Sequence, residues 1–391
     1  MRSDIRRRGG GRGRDESYMV RESQQYAQTS HKADDDVEAV VSLQPTVLSI
    51  RSHQINSIKM PLPVDPEINK LADNLVDTMR ATFDTPQNCR PVHAKGQLCK
   101  GTFIPSPQAS TLSKAPIFST ASTPLILRYS TDTGLKDLPD NGENGSRGFA
   151  IRFLISEDGH QHYDLITNNA FGFVVSTGEA FLDQFEAIKD GSKEAMDKFF
   201  AKYPHAKYFD ENQKPAHSYS FATEQWHGIH AYKFVNAKGE SRYFRWRLVP
   251  WQGVMKHSPA DAKKQSTNYQ FDDLTHRLNN KKPIRYRLLA QLAEDGDEVN
   301  DSAKVWPETN EFVEMGEIFV ERLWTFDEGE PKGRQQKRII YDPMPRYIEG
   351  IEASDDPLIE VRTSVYLKSG IIRREADGVM TDQKVDYKCP R

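Results

Sequence analysis

The segment "IEVRTSVY" sets an arginine and a tyrosine four residues apart, at Arg362 and Tyr366. The apolar residues Leu358, Val361 and Val365 predict a helix here, and residues i and i+4 lie one above the other on a helix. The spacing therefore places a cation beside a phenol. Taken alone, the pair is typical of a tyrosine whose ring packs and whose hydroxyl donates a hydrogen bond.

Two further stretches are dense in groups that could do chemistry. "CRPVHAKG" (89–96) places His93 among basic residues, and "DLITNNAFGF" (164–173) places Asn168 and Asn169 at the end of an apolar strand. An imidazole can take up and release a proton near neutral pH. Each stretch also has an ordinary interpretation, because a lone histidine beside a strand is usually a surface or satisfied core residue and an Asn-Asn pair usually marks a turn.

Arginines interrupt three apolar segments that we interpret as strands: Arg90, Arg128 within "LILRYS", and Arg373 within "GIIRR". A guanidinium is rarely buried unless it meets an anion. If the three converge, they suit a ligand that carries carboxylates or phosphates. Arg128 could equally pair with one of the 56 acidic residues of the chain.

Other signatures of catalytic or metal sites are weak or missing. Cys89, His93 and Cys99 follow a C-x3-H-x5-C spacing that lacks a fourth ligand and is a poor zinc pattern. We find no G-x-S-x-G elbow, no Walker loop and no plausible C-x-x-C pair.

The elements that must position these groups follow from apolar periodicity. Asp65 and Pro66 open a helix in "VDPEINKLADNLVDTMRATF", and further helical patterns lie near 181–188 and 196–200. Short aromatic and β-branched segments predict strands and a hairpin with Gly239 in its turn. These segments are 125–130, 149–155, 162–167, 230–249, 283–294 and 316–323.

Strands that follow one another through hairpins favour an antiparallel sheet, and about eight of them can close a barrel that holds one ligand. We therefore predict an α+β fold, an antiparallel eight-stranded β-barrel with surrounding helices, in a domain over 61–391. Residues 1–60 begin with the arginine- and glycine-rich "MRSDIRRRGGGRGR", which predicts a disordered or irregular extension. Such a tail can bind RNA weakly, but a solvated tail or a cloning remnant is the simpler interpretation.

The composition of the 391 residues narrows the class of protein. A net charge of −3 does not suggest a nucleic-acid partner. Three cysteines cannot form a disulfide framework, and an odd number is typical of a reducing compartment. No apolar run reaches the ~18 residues of a membrane span, and no secretory signal is readable. We expect a cytoplasmic protein that does not bind a membrane.

Taken in order, the dense stretches resemble the haem catalase family. "RPVHAKG" is similar to the distal segment of that family, and "LRYSTDTG" is similar to its arginine-containing strand. "SRGFAIRF" and "DLITNNAFGF" are similar to the segments around its distal asparagine. "RTSVY" is similar to its proximal R-x-x-x-Y motif. The resemblance covers roughly residues 60 to 375. Since the chain stops 25 residues after Tyr366, it looks most like the small catalase-related peroxidases, which keep the eight-stranded barrel and the haem site.

The resemblance implies that heme b (ferric iron protoporphyrin IX) is the cofactor, and it assigns a role to each catalytic candidate. Tyr366 would be the iron ligand, as a phenolate that Arg362 stabilises. His93 would be the distal acid–base group and Asn168 the distal amide. Ser130 would form a hydrogen bond near the histidine ring.

The remaining implied contacts concern the porphyrin. Arg90, Arg128 and Arg373 would hold its propionates. Phe181 would lie against the ring, and Val92 would cover its distal face.

The sequence departs from the family pattern at three places. Gly145 replaces an acid that lines the long access channel, and Gly370 replaces a histidine that follows the proximal tyrosine by four positions. A pair of phenylalanines is reduced to Phe173 and Val174. A wider channel, open to organic donors or organic hydroperoxides, is the expected consequence.

The implied function is a haem-dependent hydroperoxidase. It would cleave the O–O bond of hydrogen peroxide or a small organic hydroperoxide through a ferryl intermediate, which an organic donor or a second peroxide then reduces. One alternative is a non-enzymatic barrel that binds haem or another apolar ligand. Another is rearrangement of fatty-acid hydroperoxides, which in relatives goes with a threonine where this chain has Val92. The sequence leaves open a homo-oligomer and the binding of a nicotinamide cofactor.

Overall fold

Short segments rich in apolar and aromatic residues form the central strands of the computed structural model, which describes residues 62–143, 145–325, 334–346 and 348–376. The predicted extension over 1–60 lies outside these residues, as does Cys389. The strands are β1 (Gly96–Pro105), β2 (Thr123–Thr131), β3 (Arg147–Leu154), β4 (His162–Asn168), β5 (Trp226–His227), β6 (Tyr232–Val235), β7 (Ser241–Pro250), β8 (Ile284–Leu292), β9 (Phe312–Leu323) and β10 (Ile351–Ala353).

The predicted antiparallel eight-stranded barrel is confirmed. Strands pair in the order β7, β5, β4, β3, β2, β1, β9, β8, and the pairing of β8 with β7 closes the ring. All of these pairs are antiparallel. Strand β6 pairs with β7 along the edge that β5 also uses, and β10 pairs with β6. Gly239 turns the β6–β7 hairpin with φ of 82°, as predicted.

Large aromatic side chains fill the barrel. Tyr129 stacks on Phe149 with ring centroids 4.2 Å apart, and Trp226 and Trp246 are buried beside them. A packed interior leaves these side chains no room for a further molecule of their size. The expectation that the barrel encloses a ligand is therefore wrong, and the candidate site residues lie outside it.

The helices surround the barrel. They are α1 (Pro66–Phe83), α2 (Ala109–Leu112), α3 (Gly178–Asp190), α4 (Lys193–Lys202), α5 (Pro204–Asn212), α6 (Pro259–Ala262), α7 (Tyr269–Asn279), α8 (Arg334–Arg338) and α9 (Pro357–Ala376). The predicted start of α1 is confirmed, because the Asp65 side chain caps it by accepting from Glu67 N at 2.8 Å. No helix in the described ranges is long and apolar enough to cross a membrane.

Helices α1, α3 and α9 pack on one another, and Tyr366 of α9 also packs against a cluster that contains Leu98 of β1 and Ile126 of β2. Leu75 of α1, Phe185 of α3 and Val361 of α9 pack in one buried cluster. Burying each such side chain contributes about 1.5–3 kcal/mol to folding. Arg373 lies on α9 rather than in a strand, and Arg90 lies in the loop between α1 and β1, so the strand interpretation of these two arginines is wrong.

Candidate active site

Helix α9 brings Arg362 and Tyr366 together as the i,i+4 spacing predicts. Arg362 Nη2 lies 3.4 Å from Tyr366 Oη, and the guanidinium carbon lies 5.8 Å from the ring centroid. Asp356 begins the helix, since its Oδ1 accepts from Leu358 N at 3.0 Å. The helix and the geometry of the pair thus follow the sequence prediction.

A hydrogen-bonded chain continues behind this pair. Arg362 Nη1 donates to His230 Nε2 at 2.6 Å, and His230 Nδ1 donates to Asp356 Oδ2 at 2.7 Å. Burial lowers the pKa of His230 to about 4, although its hydrogen bond to Asp356 opposes the shift. A neutral imidazole is the form that can donate from one nitrogen and accept at the other. The sequence analysis missed this role of His230, whose only signal was a histidine near a strand.

The His93 ring is held in one tautomer. Its Nδ1 lies 2.6 Å from Thr131 O and 3.1 Å from Ser130 Oγ. Because a carbonyl oxygen only accepts, Nδ1 carries the proton and Nε2 keeps a lone pair. Burial lowers the pKa of His93 to about 4, which keeps the ring neutral, and the charges of Arg128, Arg362 and Arg90 contribute to the shift. This neutral ring can accept a proton at Nε2.

Strand register aligns the other candidates beside His93. Ser130 pairs with Gly148 and Gly148 pairs with Asn168, so the three residues form one row across β2, β3 and β4. Directly opposed residues point to the same face of a sheet. A Cβ at Gly148 would lie 3.0 Å from His93 Cε1 and Nδ1, so glycine makes room for the imidazole there.

The two adjacent asparagines have different surroundings. Asn168 is half-buried, and its Oδ1 accepts from Ala170 N at 2.9 Å. Asn169 is buried, accepts from Arg147 N at 2.8 Å, and donates to Glu224 Oε2 at 2.9 Å. Asn169 is thus tied into the protein, whereas Asn168 lies in the row next to His93.

The three predicted arginines converge. Arg90 Nη2 and Arg373 Nη2 both donate to Ile339 O, at 3.1 and 3.2 Å. Arg90 Nη1 donates to Gln336 O at 2.6 Å, and Arg128 Nε donates to Gln336 Oε1 at 3.0 Å. None of these partners is an anion, and no carboxylate among the described residues forms a salt bridge with the three arginines.

Among the described residues, positive charge therefore accumulates at this end of the site with no carboxylate to balance it. Burial lowers the pKa of Arg90, Arg128 and Arg373, and the charge of Arg90 further lowers the pKa of the other two. An anionic ligand with two acidic groups would relieve this repulsion, since buried guanidinium groups are normally paired.

Apolar side chains line the remaining sides. Val92 and Phe181 pack against the cluster shared by α1, α3 and α9. Phe181 meets Phe185 edge to face with centroids 5.0 Å apart. Tyr366 packs against a second cluster on the outer face of the barrel, formed by Leu98, Ile126, Trp324, Ile339 and Tyr341.

At two of the positions where the sequence departs from the family pattern, neighbouring atoms occupy the space that a side chain would need. A Cβ at Gly145 would lie 2.3 Å from Pro215 O, and a Cβ at Gly370 would lie 2.2 Å from Ile340 Cδ1. Larger side chains do not fit there without rearrangement. The surrounding structure therefore requires glycine at both positions.

The zinc alternative finds no support in the part of the chain that the structure describes. Cys99 is buried inside the barrel. No group of three or more His, Cys, Asp or Glu side chains in the described ranges is placed to hold a metal ion.

Comparisons with known proteins agree with this architecture. A model of the catalase family matches residues 71–380. A catalase-related peroxidase of Mycolicibacterium paratuberculosis is 31% identical over 312 residues, which are 78% of this chain and 95% of the relative. A catalase-related peroxidase of Synechococcus elongatus is 27% identical over 308 residues, covering 76% of this chain and 87% of the relative.

Solved structures show the same fold. A bacterial catalase superposes with a TM-score of 0.64 at 23% identity, covering 78% of this chain and 60% of that one. A fungal catalase gives a TM-score of 0.62 at 21% identity, covering 76% and 62%. This chain therefore spans about 60% of the length of these two catalases. Because the family model matches most of its residues and a relative of similar extent is 31% identical, the chain belongs to the catalase family.

Proposed function

We propose that this protein is a haem-dependent hydroperoxidase that cleaves the O–O bond of hydrogen peroxide or a small organic hydroperoxide. An organic donor, or a second peroxide, supplies the electrons. The observation that carries the proposal is the contact of the Tyr366 phenol with the Arg362 guanidinium, continued by His230 and Asp356. The relatives that match over their whole length are named catalase-related peroxidases, which favours an organic donor.

The residues present fit heme b. Tyr366 would hold the iron, as tyrosine does in catalases as a class. The uncompensated guanidinium groups of Arg90, Arg128 and Arg373 would hold the two propionates, and Val92 and Phe181 would contact the porphyrin. When bound, the haem supplies a ferric ion and a porphyrin that together accept the oxidising equivalents of the peroxide.

The charge of Arg362 would stabilise Tyr366 as a phenolate when the haem is bound. A guanidinium about 4 Å from a phenolate contributes roughly 4 kcal/mol at an effective dielectric constant of ~20. An arginine keeps its charge over the whole working pH range. The neutral His230 then accepts from Arg362 and fixes its orientation.

His93 moves the proton. Its unprotonated Nε2 would take a proton from one peroxide oxygen and return it to the other, so that the second oxygen can leave as water when the O–O bond breaks. Thr131 and Ser130 hold the ring in the tautomer that this step requires. Asn168 orients the peroxide by hydrogen bonding and does not titrate.

Two other interpretations of the site are less well supported. A non-enzymatic haem carrier has no need of a histidine held in a single tautomer. Rearrangement of fatty-acid hydroperoxides is disfavoured because Val92 precedes His93, where relatives with that activity have a threonine. We keep the cytoplasm as the proposed location, on the odd number of cysteines.

The test measures oxygen release and oxidation of a phenolic donor on the same holoprotein preparation. We expect donor oxidation by the wild type, and a loss of about 10²-fold or more in His93→Ala with its haem retained, because a positioned acid–base group contributes ~10²–10⁴-fold. Ser130→Ala is the control and should lose much less, since Thr131 O still holds the ring. Full peroxide turnover by His93→Ala would contradict the proposed role of His93. A wild type that binds haem but turns over no peroxide would favour a carrier.

A further inference from the structure

Tyr341 has a buried hydroxyl that the site described so far does not use. Its side chain is 3% exposed and belongs to the outer-face cluster with Ile126 and Ile339, against which Tyr366 packs. Its Oη has no hydrogen-bond partner among the described residues. Because buried polar groups are nearly always paired, a hydroxyl without a partner indicates a missing acceptor.

The other buried tyrosines make this absence informative. Tyr232 Oη donates to Pro343 O at 2.8 Å, and Tyr286 Oη donates to Phe221 O at 2.6 Å. Tyr163 Oη accepts from Trp246 Nε1 at 2.7 Å. Among the buried hydroxyl oxygens of the described tyrosines, only that of Tyr341 has no hydrogen-bond partner.

The surroundings of Tyr341 are cationic. Two residues earlier in the chain, Ile339 O accepts from both Arg90 and Arg373. The guanidinium of Arg152, which is paired with Asp164, lies 5.5 Å from the Tyr341 ring centroid. A group placed here meets donors and positive charge, so a carboxylate is the chemistry that fits.

The hydroxyl is a donor under working conditions. Burial raises the pKa of Tyr341 above its usual value, so the phenol stays protonated. Tyr341 packs with Ile126, and Arg128 lies two residues after Ile126 on the same face of β2. Arg90 is linked to Arg128 through Gln336, so the three residues lie at one end of the site.

We propose that Tyr341 is a further ligand-binding residue, whose hydroxyl donates a hydrogen bond to a carboxylate held by Arg90, Arg128 and Arg373. This inference rests on the proposed function, under which that carboxylate is a haem propionate. The hydroxyl then finds its acceptor only in the holoprotein.

The test uses purified holoprotein and the variant Tyr341→Phe, which removes one oxygen and leaves the ring in place. Transfer of haem to an excess of an acceptor apoprotein measures the rate of haem release. We expect release to be about tenfold to a hundredfold faster in the variant, as for a lost hydrogen bond to a charged group. The propionate bending band in the resonance Raman spectrum should also shift.

Tyr163→Phe is the matched control, because its hydroxyl is buried and paired inside the barrel. It should lower the thermal unfolding midpoint and leave the propionate band unchanged. A Tyr341→Phe holoprotein with an unshifted band and a haem-release rate within twofold of wild type would overturn the role of Tyr341 alone. A wild type that binds no haem would instead overturn the proposed function, and this inference with it.

Discussion

Single residues decide what this site can do, and neighbours in sequence can have unrelated tasks. The motif "NN" predicts one amide in the site, and the structure distinguishes the two. Asn168 lies in the row that contains Ser130 and Gly148, next to His93. Asn169 holds Arg147 N and Glu224 in the buried interior.

These two asparagines provide a matched pair of variants. Asn168→Ala should lower peroxide turnover by about 10²-fold, the usual loss for one positioned donor, with an unchanged unfolding midpoint. Asn169→Ala should destabilise the fold by roughly 1–3 kcal/mol, because it leaves buried groups without partners. Turnover assays and urea unfolding of both proteins measure this. The reverse assignment, with activity lost only in Asn169→Ala, would contradict the site.

At the scale of elements, α9 presents the phenol, its guanidinium neighbour and one arginine of the anion-binding group from a single face. Arg362, Tyr366 and Arg373 are separated by four and seven residues, which is helical periodicity. The N-terminus of α9 carries Asp356, which both caps the helix and accepts from His230. Helix capping and the orientation of the phenol are thereby coupled through one carboxylate.

Asp356→Asn separates these two tasks, because asparagine caps helices as well as aspartate does. We expect the helix cap to persist, with a loss of about 1–3 kcal/mol of stability from the altered buried contact with His230. The reduction potential of bound haem should become more positive, since a negative charge behind Arg362 and Tyr366 is lost. Spectroelectrochemical titration measures the potential.

Asp65→Asn is the control for this change. Asp65 caps α1 in the same way but is exposed and contacts no histidine. An equal shift in potential in both variants, or in neither, would show that the chain behind Arg362 has no influence on the iron.

At the scale of the whole molecule, local patterns predicted most elements but not how they close. Aromatic and β-branched composition located β2, β3 and β4, and alternation located β8 with β9 as its partner. Strand β1 escaped prediction because Gly101 and the bulge beside it interrupt the pattern; a Cβ at Gly101 would lie 1.9 Å from Phe319 O. Strand β5 has two residues and no readable period.

The location of the site was the main error of prediction. Alternation shows that a strand has two faces but not which face other elements cover. Both faces of β2 are apolar, since Leu127 points into the barrel and Ile126 points to the outer cluster. The ligand-binding side becomes evident only when α1, α3 and α9 are placed on the barrel. The candidate residues stand out in the sequence because they occur in short motifs in a fixed order; their roles stay predictions.

The two buried histidines predict how stability depends on pH. His93 and His230 have a pKa of about 4 in the folded protein and about 6.5 when unfolded. Between these values the unfolded chain binds more protons, so stability falls as the pH falls from 6.5 to 4. Each histidine contributes at most about 1.4 kcal/mol per pH unit.

Urea unfolding midpoints between pH 4 and 7 measure this dependence. His93→Gln removes one of the two groups and should make the decline shallower. A midpoint that is independent of pH in this window would show that the histidines are not buried in their neutral form.

The central claim is that Tyr366 is the iron ligand, and the electronic absorption and EPR spectra of the purified holoprotein test it most directly. We predict a high-spin ferric spectrum for the wild type, and loss of haem or a changed spectrum for Tyr366→Phe. Tyr232→Phe, which removes a buried hydroxyl that donates to Pro343 O, should keep the wild-type spectrum. A Tyr366→Phe protein with unchanged spectrum and full haem content would contradict the account.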